Sequence, residues 1–279
     1  MSRSAPQKSI ADVRRYWDDR PCNVRHSTKP VGSREYFDEV EARKYFVEPH
    51  IPAFADFERW NGKRVLEVGC GIGTDSINFA RAGAKLTAVD LSGESLRIAQ
   101  QRASVMGVRD RIDFVQANAE ELTSAVSGGP YDLIYSFGVI HHTPQPDRAL
   151  AEMRALAAPG GTLKLMVYHR HSWKVLWILA AEGRGRFWNA DELIARYSEA
   201  ETGCPVTYSY SRSQGRDLVQ ASGFRVEDVS VDHVFPYRVR DYVQYRYVKV
   251  PYFRWMPEPM FRAFERQFGW HLMVTARAG

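Results

Sequence analysis

Four side chains in this sequence have the type and placement to move a proton. His141 and His142 follow an apolar run at residues 131–136, and Tyr168 and His169 close another at residues 162–168. A neutral imidazole is a base suited to physiological pH, so either pair could deprotonate or position a reacting group. Helix capping and backbone hydrogen bonding explain the same residues equally well from sequence alone. No metal is expected. Neighbouring histidines on a loop have no evident third ligand, and Cys22, Cys70 and Cys204 are odd in number, scattered and without metal spacing.

A second set of residues points to a bound small molecule. The stretch at residues 65–73, VLEVGCGIG, runs from an apolar strand into Gly69, Gly71 and Gly73. Glycine tolerates positive φ and lets a ligand approach the backbone closely. A dinucleotide fingerprint, G-x-G-x-x-G, would set a pyrophosphate on the following helix. Here Thr74 holds the third fingerprint position and Asp75 puts a negative charge in the first turn, where a phosphate would be repelled. Glu67, just before the turn, suits an ammonium group instead. Asp90, closing the run KLTAVD, stands where a ribose diol is held. A ribose, an amine and no phosphate together describe S-adenosylmethionine.

These residues resemble the class I S-adenosylmethionine-dependent methyltransferases, whose first motif is an E-x-G-x-G-x-G loop followed by a ribose-binding acid. The match extends through ANAEEL at 117–122, YDLIYSFGVIHH at 131–142 and LAAPGG at 156–161. In motif style it is closest to the ubiquinone and menaquinone methyltransferases. The resemblance implies that Asn118 and Ala119 sit beside the adenine, where the family usually has an aspartate in place of Asn118. It implies that Leu91 covers one adenine face and that Ser136 borders the methionine part of the cofactor.

Positioning these groups takes a particular framework. From residue 64 strands alternate with helices, which predicts a doubly wound parallel sheet with right-handed crossovers. The resemblance extends this to a Rossmann-like seven-stranded sheet with the last strand, near 270–276, antiparallel. Residues 1–60 precede the sheet and read as amphipathic helices, and the resemblance implies a lid in which Tyr16, Trp17 and Tyr36 wall the site. Arg25 and His26, in a turn-rich loop, could reach a substrate. Insertions at about 170–212 and 232–269 are expected to cap it. The apolar run WKVLWILAA at 173–181 reads as a membrane-surface or lipid contact, a pocket wall or a buried helix.

Composition narrows the partners. The 279 residues, 44% hydrophobic and 25% charged, suit a globular core, and 38 basic against 33 acidic residues leave a mild charge of +5. The insertion at 232–269 interleaves tyrosines and arginines without the pattern of a known RNA-binding module. A small-molecule acceptor, aromatic, lipid-like or anionic, is therefore expected. RNA modification, chemistry other than methyl transfer and a pure binding role are the alternatives. With no signal-like apolar core and no apolar run of about 18 residues, a cytoplasmic protein is expected. Oligomeric state is left open.

Overall fold

The computed structural model describes residues 9–182, 190–197 and 204–279. Strands β1 (Arg64–Val68), β2 (Lys85–Asp90), β3 (Ile112–Gln116), β4 (Tyr131–Phe137), β5 (Ala157–Tyr168), β6 (Phe224–Asp232) and β7 (His271–Ala278) form a seven-stranded sheet in the order β3-β2-β1-β4-β5-β7-β6. The first five run parallel, and β7 lies antiparallel to both β5 and β6. The doubly wound sheet with a reversed last strand is the predicted one.

Helices α1 (Ile10–Asp19), α2 (Arg34–Val47) and α3 (His50–Ala55) precede the sheet. The crossovers carry α4 (Thr74–Arg81), α5 (Gly93–Val105), α6 (Leu122–Ala125) and α7 (Pro146–Leu156). Beyond β5 come α8 (Trp173–Glu182), α9 (Ala190–Tyr197) and α10 (Arg212–Ala221), and between β6 and β7 lie α11 (Val239–Tyr242), α12 (Pro251–Arg254) and α13 (Glu258–Phe268). Local signals explain several boundaries. Ser33, Ser92 and Ser211 each accept an N–H from the third helical residue. Gly83, at φ +90, closes α4 in a Schellman motif, with Ala84 N–H reaching Phe79 O at 3.0 Å.

Alternation along β1 divides the core between the two faces of the sheet. Leu66 and Val68 join Ile134, Leu150, Leu163 and Val219 on one side, while Val65 joins Ile77, Ile98, Leu133 and Tyr135 on the other. Tyr36, Phe37 and Val40 of α2 belong to that second cluster. One face of α2 is thus packed into the core, and Tyr36 donates its hydroxyl to Val24 O at 2.8 Å and does not line the cavity. Residues 158–161 form an irregularity within β5, since Tyr131 pairs with Ala157 but Leu133 with Thr162.

The insertion at 232–269 sets His233 on the cavity and packs its rings elsewhere. Its rings pack outside α2: the Arg43 guanidinium lies 4.1 Å from the ring centroids of both Tyr242 and Tyr245, and Phe46 meets Tyr247 at 4.7 Å. In the run 173–181, Val175 and Ile178 are buried while Leu176 and Trp177 are exposed. Among the described residues, no helix is long and apolar enough to cross a membrane.

One buried cation fastens α2 to the parallel half. Arg102 of α5, fully buried, donates to Thr74 Oγ1 at 2.6 Å, Phe37 O at 3.1 Å and Glu41 Oε2 at 2.9 Å. Removing one partner of such a buried pair costs about 3–5 kcal/mol. Arg102→Ala is accordingly expected to lower unfolding free energy by about that amount in urea titrations. A loss below about 1 kcal/mol, the worth of a surface pair, would show that the contact does not hold α2 in place.

Candidate active site

The carboxyl ends of β1, β2, β4 and β5 face a cavity of about 340 Å³. It opens where the crossovers from β1 and β4 diverge, the position in which doubly wound folds bind ligands. Gly69, Gly71 and Gly73 all adopt positive φ, at 82°, 53° and 78°. A side chain at Gly69 would put its Cβ 2.1 Å from Val139 Cγ2, whereas a Cβ at Gly71 would meet nothing within 4 Å. The turn thus presents bare backbone to the cavity at Gly71.

Asp90 is fixed by that same turn. Its Oδ2 accepts the Gly71 N–H at 2.8 Å and its Oδ1 the Ser92 N–H at 2.8 Å, so each oxygen is anchored and keeps acceptor capacity for a ligand. Burial pushes its pKa up to about 6, against the lowering effect of these two N–H groups. Leu91, Asn118 and Ala119 line the adjoining wall. The Asn118 side-chain oxygen accepts the Glu120 N–H at 3.1 Å, which uses one of its two lone pairs. Over this end lies α1, contributing Ile10, Val13 and Trp17. Ser92 Oγ donates to Trp17 O at 3.3 Å, and Glu94 N–H to Asp18 Oδ1 at 3.4 Å. Of the loop after α1, Cys22 and Asn23 reach the cavity, while His26 is turned against Tyr242.

Five of the predicted residues lie off the cavity wall, the first of them Gly73, which caps α4 and packs against Ala99. Alternation along β1 turns Glu67 toward α4, where it is buried and accepts the Ser76 hydroxyl. Burial and nearby Asp75 push its pKa up to about 8, so it is protonated near neutrality and is not an exposed partner for an ammonium group. Ser136 is fully buried on the Ile134 face of β4. His141 is also fully buried and packs its ring 3.8 Å from that of Tyr168. Burial holds its imidazole well below the ordinary range, hence neutral. His169 points away along β5, where its Nδ1 lies 3.0 Å from Gly269 O.

His142 and Tyr168 do line the cavity. His142 Nδ1 lies 2.9 Å from the Val206 carbonyl oxygen, which can only accept; the proton is therefore on Nδ1 and the basic lone pair on Nε2. Tyr168 lies between the rings of His141 and Trp270, with centroids at 3.8 and 4.0 Å. Lys174 Nζ stands 4.6 Å from the Trp270 ring centroid and also lines the cavity.

A further group on this wall was not anticipated. Glu48, at the C-cap of α2, faces His233 and His271. His271 Nε2 is 3.6 Å from Glu48 Oε1, and its Nδ1 is 2.9 Å from His50 Nε2. Burial pushes the pKa values of both His233 and His271 well down, helped by neighbouring histidines and Lys174. These residues are far apart in sequence. The legible signal would have been a pair of histidines flanking the final antiparallel strands, where Asp232 pairs with His271.

Comparisons with known proteins agree with this architecture. Residues 65–161 match the family model described as "Methyltransferase domain". An uncharacterized protein, syc1184_c of a Synechococcus strain, is 41% identical over 107 residues, 38% of this chain and 25% of that protein. Ubiquinone biosynthesis O-methyltransferase of Xanthomonas axonopodis pv. citri is 34% identical over 164 residues, 58% of this chain and 60% of the relative. The chain thus spans less than two thirds of either. Among solved structures, magnesium protoporphyrin IX methyltransferase of Synechocystis PCC 6803 with bound S-adenosylmethionine superposes over 100% of both chains, with a TM-score of 0.57 and 15% identity. The [4+2]-cyclase SpnF gives 0.59 at 18% identity, over 100% of this chain and 99% of that one. Likenesses at such identities establish the fold. Residues 65–161 are thus similar to a methyltransferase domain, and the whole chain shares the fold of the solved methyltransferase.

Proposed function

We propose that this protein transfers a methyl group from S-adenosylmethionine to a small-molecule acceptor. The observation that carries the reading is Asp90, a carboxylate anchored by the glycine turn and aimed at a cavity whose nearest helix gives phosphate no seat. Thr74 Oγ1 is occupied by Arg102, and Asp75 lies in the first turn of α4. The residues fit the cofactor: Asp90 would take the ribose hydroxyls, the bare backbone at Gly71 would allow close approach, and Leu91, Asn118 and Ala119 would border the base. When bound, the cofactor supplies a methyl already activated on a sulfonium. The protein then has to orient a nucleophile in line, exclude water and accept a proton. His142 is suited to the last of these, with Nδ1 fixed on Val206 O. Trp17 of α1 closes over it at 5.4 Å between ring centroids.

The acceptor class follows from the opposite wall. Tyr168, Trp270 and Phe137 offer aromatic faces, and Lys174 a cation, which suits an aromatic molecule bearing an anionic or ionisable oxygen. The rings considered for RNA stacking pack against α2, which favours a small molecule. Calorimetric titration with S-adenosylmethionine, followed by mass spectrometry of metabolite extracts incubated with methyl-labelled cofactor, tests the whole reading. Neither heat nor transferred label would refute it.

Two outcomes follow for single residues. Losing charge-assisted hydrogen bonds to the ribose, at about 1.5–3 kcal/mol, should make Asp90→Asn bind cofactor about 10–150-fold more weakly. Because the diol needs the ionised carboxylate, wild-type affinity should decline as pH falls through about 6. The unliganded stability contributed by Asp90 should run the other way. Its folded pKa lies above the unfolded value of 3.8, so the contribution is present in acid and lost as pH rises toward 6. In Asp90→Asn both dependences should flatten, and an unchanged affinity profile would remove Asp90 from the site.

For His142→Gln, turnover of the acceptor found by labelling should drop about 100-fold or more, with cofactor affinity unchanged. Equal kcat would reduce His142 to a packing role.

A further inference from the structure

Among the described residues, Glu48, His233 and His271 each offer a ligand atom within 4.8 Å of the others. They come from three separate elements, the end of α2, the residue after β6 and the start of β7, and converge on the acceptor end of the cavity. Both histidines are buried. His233 adopts φ +72°, a left-handed conformation that costs a non-glycine residue energy and is concentrated at functional sites. Its backbone is held there from both sides. The His233 N–H donates to Asp232 Oδ1 at 2.7 Å, and its carbonyl accepts the Trp270 N–H at 2.8 Å.

A supporting shell stands behind the three. His271 Nδ1 lies 2.9 Å from His50 Nε2, and His50 Nδ1 lies 3.9 Å from Asp232 Oδ1. If His271 donates Nδ1–H to His50, its Nε2 lone pair faces Glu48. This chain of histidine, histidine and carboxylate is the arrangement that fixes the tautomer and ring plane of a metal-bound imidazole.

We propose that Glu48, His233 and His271 ligate a first-row divalent transition metal. Two imidazoles and a carboxylate are a donor set for zinc or ferrous iron, and three protein ligands leave coordination open on the cavity side. Ligand atoms around tetrahedral zinc stand about 3.4 Å apart, so the widest edge must contract by roughly 1.4 Å, within the reach of side-chain rotation. On that side Phe137, which also lines the cavity, lies 5.3 Å from the His271 ring. There a hydroxyl of the acceptor could coordinate and become more acidic, which would supply the nucleophile for methyl transfer. That role rests on the proposed methyl-transfer reading; the ligation itself does not.

The test uses tag-free, chelator-treated full-length protein, titrated with cobalt(II) and then competed with zinc(II), with no S-adenosylmethionine present. One equivalent of cobalt should give the visible absorption of a four- or five-coordinate site, and zinc should abolish it. His233→Asn, which tolerates the left-handed backbone, and His271→Gln should each weaken binding more than 100-fold, with folding checked by circular dichroism. His50→Ala should cost about 10–100-fold, as expected for a supporting residue. Exposed His171→Ala should leave binding unchanged. Absence of stoichiometric binding, or binding indifferent to His233 and His271, would overturn the proposal. Cofactor titration of the same metal-free protein, made separately, reports on the methyl-transfer reading alone.

Discussion

A single buried carboxylate, Asp75, joins the parts of this molecule that must agree. Its Oδ1 accepts from Lys44 Nζ at 2.8 Å and Tyr45 OH at 2.9 Å, and its Oδ2 from Tyr135 OH at 3.0 Å. Lys44 and Tyr45 belong to α2 and Tyr135 to β4, while Asp75 opens α4. A buried charge without partners costs several kcal/mol, so the three donors are a condition of folding rather than an ornament of it. They also fix α2 against the sheet, and with it the position of Glu48 four residues beyond Lys44. The charge that makes the first turn of α4 inhospitable to phosphate is therefore also the charge that assembles the acceptor wall.

The two ends of the cavity are built on different principles. At the Asp90 end, backbone does the work: glycines at positive φ and N–H groups aimed at one carboxylate need few side chains, so the arrangement tolerates little variation. At the Tyr168 end, rings, lysines and histidines from distant segments converge, and shape is set by packing. Asp90 and the final histidines are both titratable, yet burial moves them oppositely. The carboxyl is held toward its neutral form by being raised, and the imidazoles toward theirs by being lowered.

Legibility in the sequence followed from range. The strands were readable because their pattern depends on residues a few positions apart. The glycine turn and Asp90 were readable because they sit at the ends of adjacent parallel strands, where order along the chain becomes order in space. Glu67 shows the limit: its type suggested a ligand contact, but period-two alternation sends it behind the turn to Ser76. His141 and His142 were indistinguishable as neighbours, and only the path of the segment at Val206 selects His142 for the wall. Glu48, His233 and His271 left no local trace, because their proximity is created by the reversed strand. The aromatic and arginine content of 232–269 was visible, but its target, Arg43 and Phe46 on the outer side of α2, was not.

The reversal of β7 has a consequence for where a label can be placed. Tyr168 at the end of β5 pairs with His271 at the start of β7, so the strand enters at the cavity and leaves at the opposite edge of the sheet. There Gly279 O accepts from Arg154 beside Gly223. A label inserted between β6 and β7 would thus enter beside His233, whereas one at the Gly223 turn before β6 would sit at the edge of the sheet remote from the cavity.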